Sequence, residues 1–129
     1  MKDGSFTRRL TTIVAMDVAG YSRLMGRDEA GTLARLLERR AIIDPINEAH
    51  GGRLVGTAGD GLLLEFSSVV DAVTSAIEVQ TALVGCNADL SDDEKMFYRI
   101  GINLGDVLAD GIILFKICVT ETQNRVPTF

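Results

Sequence analysis

Two amphipathic stretches with a short glycine-aspartate hairpin between them constrain this chain more than any other feature. In the first, Leu33, Leu36, Leu37, Ile42, Ile43 and Ile46 recur at spacings of three, four and seven, the period of a helix with one apolar face. Asp28 or Ser22 can cap its start, Gly51-Gly52 stops it, and Pro45 inside it predicts a kink. Residues 53–58 then read as a strand, Gly59-Asp60-Gly61 as a tight turn, and residues 62–66 as a second strand. The second amphipathic stretch starts at Ser67 or Ser68 with Asp71 as a cap and runs to about Val84. Its stripe is Val69, Ala72, Val73, Ala76, Ile77 and Leu83.

Strand-like runs flank this unit. Residues 10–18 are dense in Thr, Ile and Val and end at Asp17-Val18-Ala19-Gly20, where glycine permits a sharp turn. Residues 96–104 alternate apolar and polar side chains after an acidic loop over 87–95, and residues 112–119 are a further strand candidate. The order β-α-β-β-α-β is the split βαβ arrangement. It predicts an α+β, ferredoxin-like sandwich with two helices on one face of an antiparallel sheet. Residues 8–120 form one domain in this reading, preceded by a flexible 1–7 and followed by an irregular tail over 121–129.

Composition narrows the function. With 129 residues, 47% of them apolar, the chain has the mass for a core, which excludes a disordered polypeptide. Thirteen basic against eighteen acidic residues, net −5, argue against a nucleic-acid binder. Arg35, Arg39 and Arg40 are the one dense basic group, and their helical spacing predicts a solvated helix face. Cys86 and Cys118 lack metal-type spacing and read as small hydrophobes in a reducing compartment. No apolar run approaches the ~20 residues of a membrane span, and the polar start is a poor signal peptide. A cytoplasmic protein is expected.

Two acids carry the chemistry. Asp17 ends the first strand and Asp60 sits in the hairpin turn, and the expected sheet brings the two strands together, so both carboxylates converge at one sheet end. Magnesium and manganese take oxygen ligands and are held by one or two carboxylates plus substrate phosphates. Just past Asp17, the amides of residues 18–22 lead into a helix start, a natural place for phosphate. Against this, an Asp at a strand end is often a turn or cap residue, and a Gly-Asp-Gly hairpin needs no function.

Longer motifs favour the functional reading. TTIVAMDVAGYSRL (11–24), GRLVGTAGDGLLLEF (52–66) and YRIGINLGDV (98–107) resemble, in order and spacing, three signatures of the catalytic domain of class III adenylate and guanylate cyclases. SVVDAVTSAIEVQTAL (68–83) falls where that family has its second helix, and the resemblance is closest to bacterial members. It implies conversion of ATP or GTP to a cyclic nucleotide and pyrophosphate, at a site shared by two chains of a head-to-tail dimer. By the same resemblance Asp17 and Asp60 bind two Mg²⁺ or Mn²⁺ ions, the Val18 carbonyl completes one metal site, and the amides of Ala19, Gly20, Tyr21 and Ser22 hold the triphosphate.

Two departures bear on activity. Gly56 stands where the family has a base-reading lysine, and Arg53, three residues away on a strand, is expected on the opposite face. After the third motif the family's acidic base-recognition position and its transition-state Asn and Arg do not follow. Asn124-Arg125 are adjacent and do not match those spaced residues, while ICVTET (117–122) resembles a later family strand. An internal deletion explains this, and so does a frameshift or shortened reading frame. An arginine that neutralises developing phosphate charge is worth roughly 10³-fold in rate, so turnover by this chain alone is expected to be impaired. A homodimer would lack those groups twice, whereas a heterodimer with an intact cyclase chain would have one complete site. The competing readings are a non-catalytic module that binds metal-nucleotide or a partner, and a plain interaction domain. His50 reads as a helix-end residue, Met16 and Met25 as core filler, and Glu65 as facing solvent or a dimer partner.

Overall fold

The computed structural model describes residues 8–108. The elements are β1 (Arg8–Val18), α1 (Tyr21–Arg27), α2 (Glu29–Ala49), β2 (Arg53–Ala58), β3 (Gly61–Phe66), α3 (Val69–Asn87) and β4 (Tyr98–Leu108). They form one antiparallel sheet in the order β2-β3-β1-β4. This is the expected α+β sandwich. The strand expected over 112–119, the two flexible ends, Cys118 and Asn124-Arg125 lie outside the described residues.

Alternation along the strands assigns the faces. Val14, Met16 and Val18 of β1 lie in register with Leu64 and Leu62 of β3 and with Ile102, Ile100 and Tyr98 of β4. With Phe66 these side chains form the sheet side of the core. The helix side is Leu24 of α1, Ile43 of α2, and Ala72, Ala76, Val79 and Leu83 of α3. Each large apolar side chain buried there contributes roughly 1.5–3 kcal/mol. Gly52 lets the chain pass beneath this layer, since a Cβ on it would stand 2.6 Å from Phe66 Cζ and 2.9 Å from the Asn47 carbonyl oxygen.

The first helical stretch is two helices rather than one. Asp28 breaks the run with φ −159 and caps α2, its carboxylate accepting the Gly31 N–H at 3.0 Å. Helix α2 continues through Pro45 to Ala49. Ser68 caps α3 by accepting the Asp71 N–H at 3.2 Å. By length and composition α3 is apolar enough to cross a membrane, with mean hydropathy 1.3, although no single run in the sequence announced it. Of its expected stripe Ala72, Ala76 and Leu83 are buried in the core together with Val79, whereas Val69 and Ile77 are exposed, and the hydroxyls of Thr74 and Thr81 fold back onto the Val70 and Ile77 carbonyls at 2.8 Å.

Two expectations about polar residues are corrected. Arg39 is not solvated: it is 5% exposed, and its guanidinium reaches across to α3, donating to the Cys86 carbonyl at 3.5 Å. Arg40, next in sequence, points elsewhere and makes a two-pronged contact with Asp44. Glu65 does not face solvent. It is buried on the sheet face away from the helices, where its carboxylate accepts the Thr11 hydroxyl at 2.7 Å and pairs with Arg53. Side chains from the strands on either side cover it, which alternation within one strand cannot reveal.

Candidate functional site

The two candidate acids meet at one end of the sheet. Asp17 is the penultimate residue of β1. Asp60 belongs to the two-residue connection between Ala58 and Gly61, which are paired, and Gly59 takes the left-handed φ of 59 that the turn needs. From there the Asp60 Oδ2 accepts the Val18 N–H at 2.6 Å. The hairpin tip is therefore fastened to the residue directly after Asp17.

The chain then turns into α1. Gly20 has φ 68 and precedes the helix, with its carbonyl accepting the Leu24 N–H at 3.0 Å. Tyr21 and Ser22 are the first two residues of α1, whose opening amides have no partner within the helix itself. Ala19 differs: its N–H donates to the Phe97 carbonyl at 2.8 Å. Of the four residues expected to cradle a triphosphate, Ala19 is thus tied to the start of β4, and the other three lie at the helix entrance.

A residue not singled out in the sequence completes the cluster. Arg99 stands directly opposite Asp17 in the β1–β4 register, and its Nε donates to Asp17 Oδ1 at 2.8 Å. The hydrogen bond it donates to Asp17, the charge of Asp17 and the charge of Asp60 all hold the Arg99 guanidinium protonated more firmly than usual. Arg99 lay inside the third motif, but its pairing with Asp17 spans 82 residues and follows only from the strand register. Next to it, burial pushes the Tyr98 phenol up to about 12. Its hydroxyl has no hydrogen-bond partner among the described residues.

The strand beside the hairpin changes one further expectation. Arg53 pairs with Glu65 and Gly56 with Leu63, because a bulge between Leu54 and Gly56 inserts one residue. Arg53 and Gly56 consequently lie on the same face, not on opposite faces. Arg53 is nevertheless engaged with Glu65. At Gly56 itself a Cβ would meet nothing within 4 Å.

The donor set fits a divalent cation of the hard, oxygen-binding kind. Among the described residues no group of three or more His, Cys, Asp or Glu side chains could enclose a metal by itself. Two carboxylates at one sheet end suit an ion that completes its shell with substrate phosphates. The contacts given above use Oδ2 of Asp60 and Oδ1 of Asp17, one oxygen of each carboxylate.

Comparison with known proteins bears on the family and the fold. No protein-family model matches the chain. "Putative adenylate cyclase 3" of Rhizobium meliloti (strain 1021) is 42% identical over 116 residues, covering 89% of this chain and 20% of that protein. "Serine/threonine-protein kinase pkn2" of Myxococcus xanthus is 29% identical over 118 residues, covering 89% of this chain and 14% of that protein. The crystal structure of an adenylate/guanylate cyclase/hydrolase from Silicibacter pomeroyi superposes with a TM-score of 0.74 at 44% identity, over 82% of this chain and 62% of that one. The fold, the motifs and these likenesses define a nucleotidyl cyclase catalytic domain. The chain belongs to the class III adenylate/guanylate cyclase family. It spans about a fifth of the length of the Rhizobium protein and about three-fifths of the Silicibacter structure.

Proposed function

We propose that this chain forms the metal- and triphosphate-binding part of an adenylate cyclase site, one that makes cyclic AMP and pyrophosphate from ATP at a dimer interface. The observation that carries this is the convergence of Asp17 and Asp60, fastened through the Val18 N–H at 2.6 Å. Asp17, Asp60 and the Val18 carbonyl would hold two Mg²⁺ or Mn²⁺ ions, and Gly20, Tyr21 and Ser22 would cradle the phosphates, with Ala19 anchoring the turn. Bound divalent cations would supply Lewis acidity, lowering the pKa of the attacking hydroxyl and neutralising the pyrophosphate. The chain's own contribution would be to orient: the left-handed Gly20, three residues after Asp17, starts α1, so that the opening α1 amides would be available to the phosphates. A cytoplasmic location, and pairing with a second copy or with an intact cyclase chain, belong to the same reading.

Turnover by this chain alone is impaired in this reading. Gly56 offers no hydrogen bond to a base, and the family's Asn and Arg do not follow the third motif. The test is calorimetry of ATP with Mn²⁺, in wild type, Asp17→Ala and Asp60→Ala, together with cyclic AMP formation with and without an intact cyclase chain. Binding abolished by either substitution, with product only in the mixed dimer, is the expected result. Ordinary turnover by the pure chain would refute the impairment. No nucleotide binding at all would refute the whole reading.

A second reading has its own support. A module matched within a protein named as a kinase, with glycine at the base-reading position, suits a non-catalytic metal-nucleotide-binding or dimerising regulator in cyclic nucleotide signalling. Nucleotide binding without product in any mixed dimer would select it.

A further inference from the structure

We propose that Arg99 is a built-in counter-ion to Asp17, which a divalent cation must displace, so that this arginine sets the metal affinity of the site. The inference rests on the reading of Asp17 as a metal ligand.

The geometry is specific. Asp17 and Arg99 are Cα partners across β1 and β4, and Nε donates to Oδ1 at 2.8 Å. Arg99 is held in place from both sides along its strand. Ile100 is fully buried, and the Tyr98 carbonyl accepts a hydrogen bond from Gln80 of α3 at 2.9 Å. The base of the arginine is thus fixed while its tip is not: the side chain is 59% exposed, against 30% for Asp17. Asp60 lies close enough for its charge to act on Arg99 as well. The guanidinium bonded to Asp17 therefore supplies part of the positive charge that a metal would bring. An exposed ion pair is weak, worth about fivefold or less at equilibrium. Such a pair keeps two neighbouring carboxylates compatible without metal, and yields when a doubly charged ion arrives.

The consequence is that Arg99 and the cation compete for Asp17. Removing the guanidinium frees a carboxylate oxygen and also deletes a positive charge a few ångström from the incoming ion. At that range in high dielectric the gain is about tenfold in affinity. The effect shrinks with added salt, because screening acts on exposed charges.

The test uses Mn²⁺ alone, without nucleotide, titrated into the full chain and read by electron paramagnetic resonance of the free ion. Arg99→Ala and Arg99→Gln are expected to bind about tenfold more tightly than wild type at low salt, with the gap narrowing at high salt. Arg99→Lys, which keeps the charge, is expected to stay near wild type. Asp17→Asn is expected to lose the binding in every background. Should Arg99→Ala fail to fold, the comparison of Arg99→Gln with Arg99→Lys carries the same contrast. Equal or weaker Mn²⁺ binding in the neutral variants, with Asp17→Asn still abolishing it, overturns the counter-ion and leaves the metal site intact. No Mn²⁺ uptake by wild type or by any variant overturns the metal site and the counter-ion together.

Discussion

The carboxylate of Asp60 accepts the N–H of Val18 across 42 residues of sequence. That one bond joins the hairpin tip to the end of β1, so a candidate metal ligand also serves as a structural clasp. Asp60→Ala is expected to lose about 1.5–3 kcal/mol, the range for a hydrogen bond to a charged group, measured by urea denaturation. Asp60→Asn keeps an acceptor and is expected to stay within about 1 kcal/mol of wild type while losing Mn²⁺ binding. Equal stability of Asp60→Ala and wild type would show the clasp to be idle.

Gly56 occupies open space on the same face as Arg53, which makes a gain-of-contact variant feasible. Gly56→Lys meets no atom within 4 Å of its Cβ. Its stability is expected to change by less than about 1 kcal/mol, as for most surface substitutions. Calorimetry is expected to show tighter purine nucleotide binding. Unchanged affinity would mean that the lysine position does not reach a base in this chain.

Arg53 and Glu65 form a pair with one buried member. Arg53→Met takes one charged partner from the Glu65 carboxylate, at an expected cost of about 1–2 kcal/mol, less than for a fully buried pair because Arg53 is largely exposed. Replacing both, Arg53→Met with Glu65→Leu, is expected to recover most of that loss. A double-mutant cycle by chemical denaturation checks it.

Tyr98 predicts a pH dependence. Burial raises its phenol from 10.0 to about 12. Below pH 10 the folded and unfolded chains both keep the proton, and the full stability is present. Between about pH 10 and 12 the unfolded chain ionises first, so stability falls as pH rises, by at most about 1.4 kcal/mol per unit. Tyr98→Phe removes a buried hydroxyl that has no partner among the described residues. It is expected to be no less stable than wild type at neutral pH and to lack this alkaline loss, as read from melting temperatures across the range.

Gly52 sits where the core leaves no room for a side chain. Gly52→Ala drives a Cβ to 2.6 Å from Phe66 Cζ and 2.9 Å from the Asn47 carbonyl oxygen. The expected loss is about 1–3 kcal/mol, typical of overpacking, and a thermal melt measures it.

Sequence alone determined what local periodicity can carry. The helical spans of α2 and α3, the alternation of Val14, Met16 and Val18, and the hairpin at Gly59-Asp60 follow from short-range geometry, although of the expected stripes Ile43, Ala72, Ala76 and Leu83 are buried while Leu33, Leu37, Val69 and Ile77 are exposed. The family motifs were legible for the same reason, since they are runs of adjacent residues. Tertiary structure decided the rest. A one-residue bulge moved Arg53 onto the face of Gly56. Side chains from neighbouring strands buried Glu65, and packing between α2 and α3 buried Arg39 while Arg40 stayed with Asp44. The register of β1 on β4 put Arg99 opposite Asp17. Each of these depends on which strand or helix lies alongside, at separations of up to 82 residues. A period of 2 or 3.6 says which way a side chain turns from its own backbone, and nothing about what it meets there.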